Sequence, residues 1–190
     1  MKLQILALTM TTLLLSCEKE DKPVQYQYTN LNDTSVYYNH PVELDLDKDG
    51  EMDFLASTQL IGTSTGDHIQ FRISSVFRNR ILLQEEETPS MMNNDAIISN
   101  NDQPPYTWTA IGSAIIVERI IPLNIADAYW DGVWKNQTSK FLPVQLVKQD
   151  GKIYNCWIRI SFSNDAQSKI ILHDAAFCKT ASLLIKAGQH

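Results

Sequence analysis

The chain has 190 residues, with 16 Lys and Arg against 22 Asp and Glu and a formal charge of −6 at pH 7. That acidic balance, with no basic stripe interleaved with aromatics, excludes a nucleic-acid footprint. The length suits one domain with a sizeable core.

Residues 1–16 carry one cation, Lys2, and are apolar through Leu15. The stretch is too short, and too closely followed by charge, for a stable membrane span, and it reads as a signal peptide. Leu14-Leu15-Ser16-Cys17 resembles a bacterial lipobox. The resemblance implies cleavage before Cys17 and lipidation of its side chain, with acyl chains anchoring the protein at ~0.8 kcal/mol per buried methylene. The plain alternative is an ordinary cleaved signal with an incidental cysteine. Residues 17–23 are a short charged tether ending near Pro23. Its Lys19-Glu20-Asp21 is similar to the surface-export signal of Bacteroidetes-type lipoproteins, where a lysine followed by acids sits close behind the lipidated cysteine. That resemblance implies a lipid-anchored protein of the bacterial outer membrane, displayed outward rather than retained on the periplasmic side, with the membrane as a partner.

Residues 24–190 read as one antiparallel β-sandwich, jelly-roll-like and all-β. Strands are expected at 42–46 and 54–60, and between them lies Asp45-Leu-Asp-Lys-Asp-Gly-Glu-Met-Asp53. A hard divalent cation takes six to eight oxygens, and carboxylates at alternate positions converge on one point where a glycine lets the backbone turn sharply. Asp45, Asp47 and Asp49 fill the first, third and fifth places, Gly50 the sixth, and the Glu51 carbonyl the seventh. The helix-flanked form of such a loop closes with a bidentate Glu at the twelfth place, but here that residue is Ala56. Asp53, at the ninth, must close the shell. The pattern resembles the calcium loops carried between strands in secreted β-proteins, and it implies a structural calcium. The alternative is a solvated acidic hairpin.

Gly62-Thr-Ser-Thr-Gly66 matches the GxSxG nucleophile elbow. That chemistry needs a strand-to-helix turn, whereas these residues join two strand-like runs and are expected to form a hairpin. Ile69, Phe71 and Ile73 alternate with His68, Gln70 and Arg72, the period of a half-buried strand. Glu85-Glu86-Glu87 reads as a charged patch. Residues 88–105, rich in Asn, Asp and Pro, read as a long surface loop.

A strand is expected at 114–121, and 125–134 is the one stretch with a short helical stripe. Asp127, Tyr129, Trp130, Asp131 and Trp134 place aromatics beside acids. Tyr129, Trp130 and Trp134 are therefore candidates for gripping a glycan or partner protein, with core packing as the competing role. Further strands are expected at 142–148, 154–162, 170–173 and 183–186. In the third last of these, alternation puts Tyr154, Cys156, Ile158, Ile160 and Phe162 on one face. Cys156 and Cys178 fit neither a zinc knuckle nor a CxxC pair and are either disulfide-linked or buried free thiols. The four histidines lack metal-ligand spacing, which leaves zinc catalysis unsupported.

The segments Asp150-Gly-Lys-Ile-Tyr-Asn-Cys-Trp157, Asp174-Ala-Ala-Phe177 and Ile185-Lys-Ala-Gly-Gln189 resemble the closing module of a family of secreted β-rich proteins that also carry an acidic loop near their start. Cys156 stands where that family has glycine. The resemblance implies a β-sandwich without an assigned activity. The expected function is a lipid-anchored, calcium-stabilised binding or structural module at the outer surface. The alternative is a surface hydrolase acting on glycans, whose carboxylates meet only in the fold.

Overall fold

The computed structural model describes residues 25–123, 127–165 and 169–190; the expected signal peptide, Cys17 and the expected tether lie outside them. The strands are β1 (Tyr26–Val36), β2 (Val42–Leu44), β3 (Phe54–Thr63), β4 (Gly66–Ser75), β5 (Arg80–Leu83), β6 (Ile97–Ile98), β7 (Thr107–Ala110), β8 (Ser113–Pro122), β9 (Tyr129–Asp131), β10 (Lys140–Val147), β11 (Ile153–Ser163), β12 (Lys169–Cys178) and β13 (Ile185–Lys186). They form a six-stranded sheet ordered β1-β12-β11-β10-β5-β7 and a five-stranded sheet ordered β2-β3-β4-β8-β9, with β13 and β6 paired separately. The pairings are antiparallel, and the two main sheets pack face to face as one β-sandwich domain.

Strict alternation of side chains builds this core. On β11, Cys156, Ile158, Ile160 and Phe162 enter the cluster between the sheets, where they meet Phe54, Phe71 and Ile73 from the opposite sheet. Each such aliphatic or aromatic side chain contributes about 1.5–3 kcal/mol by leaving water. The intervening Trp157 points to the outer face, yet it is equally buried, because Leu82, Met92, Ile98, Ile185 and Ala187 form a second cluster around it. Residues 88–105 are therefore not a free surface loop: Met92 and Ile98 are buried, and β6 pairs with β13 over the six-stranded sheet. The C-terminal tail closes this layer, where Trp157 Nε1 donates to the Gln189 carbonyl at 3.1 Å. Gly188 permits the closure, since its φ is +83° and a Cβ there would lie 2.1 Å from Asn94 Oδ1.

The same alternation decides the cysteines. Cys156 lies opposite Phe177, one residue before Cys178, so the two thiols occupy opposite faces of the sheet and both are free. Burial pushes both thiols above their ordinary range. The expected helical stripe at 125–134 is replaced, within its described part, by β9 and a turn. Gly62–Gly66 is a hairpin: Thr63 pairs with Gly66, and Ser64 and Thr65 form the tip.

Three connections meet at one end of the sandwich. Val76 N donates to the Asp53 carbonyl at 2.9 Å, and Val147 N donates to Asn79 Oδ1 at 3.0 Å. These bonds hold the β2–β3 loop, the β4–β5 turn and the β10–β11 turn side by side.

Candidate metal centre

The acidic loop begins where β2 stops. Leu46 is buried and pins the loop to the core, while Asp53 N donates to the Leu44 carbonyl at 2.8 Å and Leu46 N donates to Asp53 Oδ2 at 2.8 Å. Within that closed base the loop folds back on its own carboxylates. Gly50 N donates to Asp45 Oδ2 at 2.9 Å, and Glu51 N donates to Asp49 Oδ1 at 2.9 Å. Gly50 has φ +91° with open space where a Cβ would stand, so its role here is conformational rather than steric.

The result is convergence: Asp45, Asp47 and Asp49 each offer an oxygen within 4.8 Å of the others, a group that can hold a metal ion. Oxygen-only donors suit a hard cation. Asp45 Oδ1 is sealed from solvent and accepts no hydrogen bond from the described residues, the kind of orphan that a cation would satisfy. Two carboxylates ~4 Å apart repel by about 4 kcal/mol at an effective dielectric of ~20, and by about 1 in water. The cluster therefore calls for a cation.

Part of that charge comes from Lys148, just beyond the end of β10. Its ammonium pairs with Asp47 and lies 2.8 Å from Asp49 Oδ2. Burial disfavours the charged lysine, but the Asp47 and Asp49 carboxylates hold it well above its ordinary range. In return the hydrogen bond from Lys148 keeps Asp49 below the usual carboxylate range. Nothing in the local sequence marks Lys148, which lies 99 residues from Asp49. The only pointer to it is the need of a crowded acidic loop for counter-charge.

The carboxylates of Glu51 and Asp53 do not join the cluster; the part expected of Glu51 is that of its backbone carbonyl, not of its side chain. The Glu51 side chain is exposed. Asp53 is buried and acts as a hub, with Oδ2 taking the Leu46 N–H and Oδ1 taking Asn79 Nδ2 at 3.1 Å. Burial pushes its carboxyl up to about 6, with Asp47 adding to the effect, against the hydrogen bonds from Leu46 and Asn79. Asn79 is a second residue that sequence reasoning missed. A groove of about 970 Å³ lies against this assembly, bordered by Asp49, Glu51, Phe77, Arg78, Gln149 and Tyr154 among others.

The aromatic candidates divide. Trp134 is fully buried and Trp130 is 8% exposed, packed between Phe71 and Phe162. Neither indole offers a face to a ligand, which corrects the expectation for both; burying two large rings in the core outweighs displaying them. Tyr129 is about half exposed. It does not line the depression of about 550 Å³ that is bordered by Gln70, Glu118 and, from the end of β9, Asp131.

One further constellation has the connectivity of a nucleophile, base and orienting acid. His173 Nε2 lies 2.7 Å from Ser161 Oγ, and His173 Nδ1 faces Asp33. Ser161 is only 6% exposed, and its oxygen already accepts the Ser139 N–H at 2.8 Å. Neither groove described above includes it. The chain of bonds ties β11, β12 and β1 together. Comparison with known proteins finds no matching family model, curated protein or solved structure, so what this end of the sandwich does rests on its own geometry.

Proposed function

We propose that the protein is a calcium-stabilised, lipid-anchored binding or structural module of a bacterial outer surface, whose ligand is a glycan or a partner protein. The observation that carries this reading is the convergence of Asp45, Asp47 and Asp49 on one point, with a sealed and unpartnered Asp45 oxygen beside it. Calcium is the ion of choice because carboxylate and carbonyl oxygens suit it, and extracellular modules work with sites as weak as ~10⁻⁴–10⁻³ M. Its role is to hold the loop between β2 and β3 closed rather than to activate a substrate, since three carboxylates largely neutralise its charge.

Anchoring through Cys17 draws on the lipobox and on the charged tether behind it. Replacing Cys17 with Ser is expected to move the full chain from the membrane to the soluble fraction. Its persistence in washed membranes would end the lipoprotein reading.

The hydrolase alternative is not adopted. Asp53 and Asp49 are displaced in opposite directions beside one groove, which is how an acid and a base are told apart. Both Asp53 oxygens, however, are held by its own chain.

A further inference from the structure

We infer that the groove enclosed by the β2–β3 loop, the β4–β5 turn and the β10–β11 turn binds a neutral oligosaccharide, with Phe77 as the platform on which a sugar ring stacks. This rests on the reading of the protein as a surface binding module and names its ligand class and its site. The groove measures about 970 Å³, at the upper end of small-ligand sites, which run to ~1,000 Å³.

Phe77 is the first reason. The residue is 77% exposed and its φ is +54°, so a bulky apolar residue is left in water on a backbone in the left-handed region. The turn accounts for the backbone, since Asn79 N donates to the Val76 carbonyl at 3.1 Å and makes Phe77 the first central residue of a tight turn, where a positive φ has a place. The anchoring of this turn is done by Asn79, which is buried and bonds both Asp53 and Val147. A large apolar side chain left in water on a turn whose anchoring does not use it, beside the larger of the two grooves described, points to a use outside the fold.

The surroundings give the chemistry. The carboxylates of Glu51 and Asp150 accept from hydroxyls, and the Arg78 guanidinium and the Gln149 amide donate to them. A sugar ring presents a C–H face to an aromatic and a rim of hydroxyls to such groups. A polyanion would meet Asp49, Glu51 and Asp150. An apolar peptide would find Phe77, Met52, Val147 and Tyr154 set among charged and amide side chains. Asp49 belongs both to the groove wall and to the cation cluster, so an ion in the cluster orders one side of the groove, and sugar binding becomes sensitive to calcium. The depression bordered by Glu118 and Asp131 is smaller and has no aromatic side chain in its lining, and the indoles of Trp130 and Trp134 are in the core.

The test is calorimetric titration of the full chain, in a sugar-free detergent, with short neutral gluco-, manno-, galacto- and xylo-oligosaccharides, with and without calcium. Wild type, Phe77→Asn and Tyr129→Ala are compared; Asn tolerates the left-handed backbone, so the first variant removes the ring and leaves the turn. Expected is binding of at least one oligosaccharide by wild type, weakened by about ten-fold or more in Phe77→Asn at unchanged Tm, and retained in Tyr129→Ala. No binding by wild type, unchanged binding in Phe77→Asn, or loss in Tyr129→Ala instead would overturn the assignment. Calcium binding on the same samples separates the two readings: an ion site that fills while no sugar binds removes the groove alone, and sugar binding without any ion site removes the calcium alone.

Discussion

Lys148 occupies, in chemical terms, the place of a cation. Its ammonium is shared by two carboxylates that also face a third, so part of the loop's charge is neutralised without a metal. Lys148→Met keeps most of the aliphatic stem and removes the charge. About 1–2 kcal/mol is expected to be lost in chelator, a figure discounted because the lysine side chain is 35% exposed, with a Tm lower by ~2–4 °C per kcal/mol. Added calcium should then raise the Tm of the variant by more than that of wild type. Equal Tm values for the two proteins in chelator would show that Lys148 neutralises nothing. The three clustered aspartates were legible from their spacing, because alternate positions and a glycine are a local pattern. Asp53 was not: its neighbours Leu46 and Asn79 decide its role, and Asn79 comes from a different turn.

At the scale of strands, period-two alternation carried most of the information. It placed Cys156, Ile158, Ile160 and Phe162 on the inner face of β11 without any knowledge of partners. It failed where burial depends on what arrives from elsewhere. Trp157 is covered by the Met92–Ile98 stretch and the C-terminal tail, and those short segments have no periodicity to read. Trp130 and Trp134 failed for the related reason that an aromatic beside acids has the same local sequence whether it faces water or the core.

On the outer face of the same sheet, Arg159 on β11 pairs with Asp174 on β12, with Nε 2.9 Å from Oδ1, and Tyr28 on β1 donates to Asp174 at 2.9 Å. Burial acts to raise the Asp174 carboxyl, but these two donors hold it below its ordinary 3.8. A depressed folded-state value means that the contribution is fully present above 3.8 and is lost as the pH falls through the lower, folded value. Arg159→Met is expected to cost about 1–3 kcal/mol at neutral pH, by leaving a buried carboxylate underpaired. It should also flatten the loss of stability below 3.8, as read by urea unfolding across that range. A variant that unfolds in acid along the same curve as wild type would remove the pair from the account.

For the molecule as a whole, the sandwich acts as a frame that brings three chain-distant turns to one end. Hydrogen bonds from Val76 to the Asp53 carbonyl and from Val147 to Asn79 align them, and the cation cluster and the groove share a wall at Asp49. Binding residues carried on loops and positioned by a rigid β framework are a general arrangement. A bound ion would stabilise the fold by about 2.7 kcal/mol at a hundred times its dissociation constant. The most direct measurement is calcium titration of the full chain by calorimetry, beside Asp47→Asn. Saturable binding to one site in wild type, at millimolar concentration or below and lost in the variant, is the predicted result; no saturable binding in wild type, or the same isotherm in Asp47→Asn, would contradict it.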